Sequence, residues 1–287
     1  MSGVVYLNGN YVDADKAVVS AFDRGFLMAD AVYEVTAALD GKLVDFNAHM
    51  ARLDRSLSEL DYTVRLDRDQ LLEAHRQIVS RNNITHGLIY MQITRGSAGE
   101  RLFTFPDPKK VPPTIFICVR SKFDLSRNPG FEKGIRVITV PDQRWLRCDI
   151  KTTQLLSASL AKMAAKAAGA DDAWFVEGTE VTEGSSNNAY IVRGKTVITR
   201  EPSHRILNGI TRTALVAAAA KAGLTVEERR FTVAEAKEAD EAFITSASDF
   251  VMPVVSVDGV TIGQGTPGPI TRLMQELYVA EATARLI

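Results

Sequence analysis

The stretch "RWLRCDIKTTQLL", Arg144 to Leu156, closes one predicted element and opens another, with Lys151 at the seam. Upstream, "GIRVITV" is rich in β-branched residues and reads as a strand. Downstream, "QLLSASLAKMAAKAAG" is Ala-rich and meets Gly169 as its C-cap, so a helix is predicted. A lysine at such a junction is either solvent decoration or a catalytic amine, and the rest of the chain has to decide which.

Working outward, hairpins and helices alternate without a regular βαβ repeat. "VVYLNGNYV" sets Asn-Gly between two β-rich runs, the strongest short hairpin signal. A loop through "DRGFLMAD" precedes a strand at Ala31 to Leu39. In "NAHMARLDRSLSEL", Met50, Leu53, Leu57 and Leu60 recur at helical spacing, with Asn47 as the expected N-cap. A second amphipathic helix is predicted over Arg68 to Arg81, then strands in "GLIYMQITRG" and "PPTIFICVR" flanking a long loop, "SAGERLFTFPDPKKVPP".

The second half offers strand pairs in "AWFVEGTEVTE" and "AYIVRGKTVIT", a helix in "NGITRTALVAAAAKAG", strands in "EAFITSASDFVMPVVSVDG" and a helix from about Pro269 to Leu286. This order predicts an α+β fold in two lobes: residues 1–120, a linker at 121–130 around "SKFDLSRNPG", and residues 131–287.

Composition narrows the classes further. With 287 residues, 46% hydrophobic and 24% charged, the chain is ordinary globular material. A net charge of −1 provides no electrostatic pull toward nucleic acid or an anionic membrane. Cys118 and Cys148 lie far apart without metal-ligand spacing, so neither a disulfide framework nor a metal site is expected. Without a leader or an 18-residue apolar run, the chain reads as cytoplasmic.

G-x-G-x-x-G, Walker, H-E-x-x-H and G-x-S-x-G patterns are all missing, which removes the commonest nucleotide, zinc and serine-hydrolase chemistries. Three turns instead suit an anion. In "LNGITRTAL", Gly209 precedes a helix whose first amides, at Ile210 and Thr211, have no intrahelical acceptor. The same pattern also fits an ordinary helix start capped by Thr211. "VTEGSSNNAY" sets Glu183 beside a run of small polar residues that can bind a ligand or simply join two strands, and "ITSASDF" ends a strand in Ser246, Ala247 and Ser248, which suit an anion or a tight connection equally. Arg52, in "HMARL", either adds a cation for a phosphate or is an ordinary solvated helix arginine. A lysine near a phosphate site, with a carboxylate for a ring nitrogen, is what pyridoxal 5′-phosphate (PLP) requires.

At these residues the chain resembles the fold-type IV PLP enzymes, and most nearly the D-amino acid aminotransferases. "DRGFLMADAVYEV", "HMARL", "IYMQITRG", "RWLRCDIK", "VTEGSSNNAY", "LNGITR" and "ITSASDF" follow the order and spacing of that family. The resemblance implies a two-domain fold with the cofactor between the domains, and a homodimer. It also implies that Lys151 forms the Schiff base and moves a proton, and that Glu183 pairs with the ring nitrogen. Arg52, the Gly209 turn with the amides of Ile210 and Thr211, and Ser246 with Ala247 would hold the phosphate. Leu207 would lie on one ring face, Ser185, Ser186 and Asn187 would border the cofactor, and Tyr33 would line the substrate side.

The implied reaction moves the amino group of a D-amino acid to a 2-oxo acid. The same cofactor site also serves branched-chain L-amino acid and (R)-amine transaminases and aminodeoxychorismate lyases. One loop departs from the family pattern. The arginine expected to grip the substrate carboxylate is present as Arg101, but Leu102 and Phe103 stand where a histidine is usual, so Arg24 or Arg95 become candidate helpers. Ala247 likewise stands where a hydroxyl is common.

Overall fold

A computed structural model describes residues 3–122 and 128–287. Of the expected linker 121–130, residues 123–127 lie outside the described residues. The contacts divide the chain into two units, and the division is not a single cut. Ile150–Gln154 and Arg285–Ile287 group with the N-terminal unit, while Leu125–Asp149 and Leu155–Ala284 form the other. Lys151 thus belongs to the first unit, whereas a boundary at residue 131 puts it in the second. The cause is main-chain bonding described below.

The first unit carries β1 (Val4–Leu7), β2 (Asn10–Asp13), α1 (Arg24–Met28), β3 (Ala31–Leu39), β4 (Lys42–Leu43), α2 (Phe46–Glu59), α3 (Arg68–Arg81), β5 (Gly87–Thr94) and β6 (Thr114–Lys122). Its strands form one antiparallel sheet in the order β2-β1-β6-β5-β3-β4. Asn8 and Gly9 turn the first hairpin at φ 48° and 91°, the positive pair a tight two-residue turn needs. The predicted loop at "DRGFLM" is in fact the short helix α1, because Asp23 caps it by accepting the Gly25 amide at 2.8 Å.

Buried Asp23 also accepts the hydroxyls of Thr94 at 2.9 Å and Thr114 at 2.6 Å, tying α1 to β5 and β6. A Cβ at Gly25 would run into the Thr94 side chain, so that position has to stay glycine. Met50, Leu53 and Leu57 bury the inner face of α2, each contributing about 1.5–3 kcal/mol of transfer free energy. The N-cap of α2 is Asp45, at φ 52°, and not Asn47.

On α3, His75 is fully buried, donates Nδ1–H to the Leu71 carbonyl at 2.7 Å and packs edge-on against Phe46. Burial pulls its pKa from 6.5 down to about 4, against the bond to Leu71. The unfolded chain therefore takes up a proton that the folded one refuses, so stability is complete above pH 6.5 and declines as pH falls toward 4. His75→Asn, which can still donate to Leu71, is expected to remove about 2–3 kcal/mol of the stability difference between neutral pH and about pH 4.5. Urea titrations at the two pH values measure it, and an unchanged pH slope in the variant would sink the assignment.

The second unit carries α4 (Gly130–Lys133), β7 (Ile135–Pro141), α5 (Leu156–Ala167), β8 (Asp172–Glu177), β9 (Glu180–Gly184), β10 (Asn188–Arg193), β11 (Thr196–Thr199), α6 (Ile210–Lys221), β12 (Thr225–Glu228), α7 (Val233–Lys237), β13 (Glu241–Ser246), β14 (Phe250–Val257), β15 (Val260–Thr261) and α8 (Pro269–Ala284). Its sheet runs β12-β11-β10-β13-β14-β7-β8-β9, with β15 on β14. Parallel neighbours need a crossover, and the connection from β7 to β8 carries both Lys151 and α5. The core sits around Trp174, Ile191, Phe231, Ile244 and Val254.

Candidate active site

Lys151 lies outside regular structure but is held by its backbone. Its carbonyl accepts the Tyr33 amide at 3.0 Å, its amide donates to Ser56 Oγ at 3.3 Å, and its neighbour Thr152 bridges to Val32 of β3. These bonds position Nζ 4.1 Å from the centroid of the Tyr33 ring, which stacks in turn on Tyr90. Two residues nominated from sequence, Lys151 and Tyr33, are thus brought together by a strand that the lysine segment clips onto.

Arg52, on α2, is oriented by a residue that sequence reasoning missed. Glu34 of β3 is buried and accepts Arg52 Nε at 2.9 Å, Arg52 Nη2 at 2.7 Å and His49 Nδ1 at 2.7 Å. Burial pushes the Glu34 carboxyl up, yet Arg52 and His49 together outweigh it and hold the pKa at about 2. The period-two alternation of β3 was a usable signal, since it turns Glu34 away from Tyr33. Glu34→Gln keeps the shape but leaves Arg52 without this counter-charge. It is expected to cost about 3 kcal/mol in urea denaturation at neutral pH, and a loss under 1 kcal/mol would refute the pairing's structural weight.

The three arginines nominated around the loop after β5 have different surroundings. Arg24 is buried, pairs with Asp30 at 2.7 Å and donates to the carbonyls of Leu102 at 2.5 Å and Thr104 at 3.3 Å. Arg95 also pairs with Asp30, at 2.9 Å, donates to the Leu60 carbonyl at 2.7 Å and lies over the Phe105 ring at 3.7 Å. Both arginines are committed to shaping this unit. Arg101 is exposed, stacks over Phe103 at 5.3 Å, and Phe103 itself is 82% exposed.

In the second unit Glu183 lies one residue before the end of β9 as a buried carboxylate. It accepts Arg144 Nη1, the Leu207 amide at 3.1 Å and Asn188 Nδ2 at 3.0 Å. Burial pushes its pKa up, and Arg144 with the Leu207 amide opposes that push. Arg144 and Asn188 were both passed over in the sequence. Asn188 also donates to the Leu207 carbonyl at 2.9 Å, so one side chain joins Glu183 to the turn before α6. A Cβ at Gly209 would collide with Asn188, which explains the glycine there.

The N-cap of α6 is Gly209 with no side-chain cap, not Thr211. The Thr211 hydroxyl instead faces Tyr278 Oη on α8 at 3.3 Å, so Ile210 and Thr211 offer amides to an anion. Ser246 Oγ donates to Asp249 at 2.8 Å and accepts the amides of Ser248 and Asp249 at 3.2 and 3.0 Å, so its hydroxyl shapes the turn around Ala247. Ser185 Oγ and Asn187 Nδ2 both donate to buried Asp172, at 2.6 and 2.8 Å, and Lys162 completes that cluster at 2.8 Å. Their side chains brace the turn that follows Glu183, whereas Ser186 is exposed.

The first unit thus holds Lys151 beside Tyr33, and the second holds Glu183 with its fixed partners and the uncapped start of α6. The family model described as amino-transferase class IV matches residues 31–257, and the chain belongs to that family. It is 40% identical over 272 residues to the D-alanine aminotransferase of Staphylococcus haemolyticus, covering 95% of each chain. It is 36% identical over 280 residues to that of Listeria monocytogenes serotype 1/2a strain 10403S, covering 97% and 96%. Its fold is similar to a T.th. branched-chain amino acid aminotransferase solved with pyridoxamine 5′-phosphate, at TM-score 0.88, 27% identity and coverage of 99% and 95%.

The chain is accordingly a PLP-dependent aminotransferase, acting on amino and 2-oxo acids. The residues present fit that cofactor. Glu183 is a buried carboxylate held in place by Arg144, Asn188 and the Leu207 amide, an acceptor of the kind that a protonated ring nitrogen requires. The amides opening α6 suit the phosphate. Among the described residues no helix is long and apolar enough to cross a membrane, and no group of three or more His, Cys, Asp or Glu could hold a metal ion.

Proposed function

We propose that this chain transfers the amino group of a D-amino acid, such as D-alanine or D-glutamate, to 2-oxoglutarate or pyruvate. The observation that carries this is 36–40% identity, across nearly the whole chain, to D-alanine aminotransferases. PLP supplies an electron sink that lets an α-hydrogen leave as a proton and an amino group change carrier. Lys151 binds the cofactor and then moves the proton at the substrate α-carbon. Glu183 holds the proton on the ring nitrogen. Arg52, the amides of Ile210 and Thr211 after Gly209, and the Ser246–Ala247 backbone hold the phosphate. Leu207 would lie against the ring, and Ser185, Ser186 and Asn187 would border it. Tyr33 lines the substrate side.

Arg101 holds the substrate carboxylate, since Arg24 and Arg95 are spent on Asp30 and the loop. We place this enzyme in the cytoplasm as a homodimer, without nucleic-acid or membrane partners. Size-exclusion chromatography with light scattering tests the dimer.

The decisive assay offers D-alanine, L-leucine or (R)-1-phenylethylamine with 2-oxoglutarate, and D-alanine is expected to be the preferred donor. Rapid turnover of L-leucine without D-alanine would replace this proposal with the branched-chain one, which the structural likeness to the T.th. enzyme favours. Product release without an amino acceptor would indicate a lyase. Arg101→Ala is expected to raise KM for D-alanine about 10- to 100-fold, the worth of one charge-assisted hydrogen bond. An unchanged KM would release Arg101 from this role.

A further inference from the structure

Asp142 lies in none of the motifs that pointed to the cofactor, yet its side chain is wholly buried. It follows β7, its amide donates to the Val176 carbonyl at 2.9 Å, and its carboxylate is saturated. Oδ1 accepts the Arg144 amide at 3.1 Å and Arg144 Nε at 3.0 Å, while Oδ2 accepts Arg144 Nη2 and Thr182 Oγ1, each at 2.8 Å. The remaining terminal nitrogen of Arg144 donates to Glu183. Arg144 also lies over the Phe175 ring at 4.5 Å, so its plane is fixed from a third side.

Two buried carboxylates therefore share one guanidinium. The other titratable groups facing this cluster in the second unit are Arg205, 4.0 Å from Asp142 and itself paired with Glu177 at 3.1 Å, and Cys148. Burial pushes the Cys148 thiol up to about 11, so it is neutral near pH 7. The two arginines offset two of the three carboxylates, and one negative charge is left over. An isolated Arg144–Glu183 pair would be neutral and would offer little to a protonated ring nitrogen.

We propose that Asp142 is a positioning residue that works by charge: through Arg144 it leaves the Glu183 cluster with one uncompensated negative charge, and that charge keeps the cofactor's ring nitrogen protonated. Its influence on Glu183 has the required sign, since the Asp142 charge makes Glu183 more basic. The proposal rests on Glu183 being the partner of the ring nitrogen.

The test uses holoenzyme reconstituted with PLP carrying ¹⁵N in the ring, whose chemical shift reports protonation of that nitrogen directly. Wild type is expected to keep the proton from neutral into mildly alkaline pH. Asp142→Asn, which removes the charge and keeps the shape, should lose it at least about one pH unit earlier, a tenfold change, and Asp142→Glu should restore it. The double variant Asp142→Asn with Arg144→Gln again leaves one net negative charge, so it should titrate like wild type.

A merely structural role predicts that the double variant is no better than the single one. Either that outcome, or an Asp142→Asn titration matching wild type, overturns the proposal. Should Asp142→Asn fail to fold, the double variant decides alone: early loss of its proton counts against the charge. A wild-type enzyme whose bound ring nitrogen is already unprotonated at neutral pH removes the Glu183 assignment itself, and the proposal with it.

Discussion

Lys151→Ala is expected to lower transamination about 10⁴- to 10⁶-fold, the scale on which an enzyme loses its nucleophile. It should also abolish the visible absorbance of lysine-bound PLP that borohydride removes from wild type. The substitution deletes the amine but spares the backbone that places it, because the bonds to Tyr33 and Ser56 use the Lys151 carbonyl and amide. Near-UV dichroism and melting should stay close to wild type. Retention of the borohydride-sensitive band in the variant would mean that another amine carries the cofactor. A collapse in stability would instead reassign Lys151 as structural.

The second large effect is expected for Glu183→Gln, which should cut kcat about 10²- to 10³-fold, the loss typical of one pre-organised electrostatic group. KM should change far less, since the carboxylate faces the cofactor in this assignment and not the amino acid. The fold should survive, because Arg144 keeps its bidentate hold on Asp142. A destabilisation of about 1–3 kcal/mol is still expected. Arg144, the Leu207 amide and Asn188 all donate to this site, and a glutamine must turn its own amide hydrogens on one of them. Equal kcat in wild type and variant would remove Glu183 from the chemistry.

Most strands and the longer helices could be read before the fold was known. Ala31–Leu39 and Arg68–Arg81 coincide with β3 and α3 because a β-rich run and an Asp67 cap are local properties. Asp67 accepts the amides of Asp69 and Gln70 at 3.0 Å, entirely within four residues of chain. The short helix before β3 was missed although its Asp23 cap on the Gly25 amide is local; five residues give little periodicity, and the Thr94 and Thr114 hydroxyls that also bind this carboxylate lie 71 and 91 positions away.

The site shows the same division. Asn187 donates to Asp172, while Asn188, which went unnamed, is the one that reaches Glu183. Two adjacent asparagines are equivalent in composition, and the start of β10 sends them to different partners. Arg144 stands within the stretch that singled out Lys151, but its partner Glu183 lies 39 residues on. Arg24 and Arg95 passed for free cations until Asp30 and the Leu102 carbonyl were seen to occupy them.

From sequence alone, then, came the α+β elements, the candidate lysine and carboxylate, and the chemical class they imply. Each depends on residue type and short spacing, which are local. Tertiary structure decided which unit holds Lys151, which of three arginines remains exposed and how many charges surround Glu183. Those outcomes depend on hydrogen bonds and ion pairs between residues tens of positions apart, whose partners are chosen by sheet register and burial.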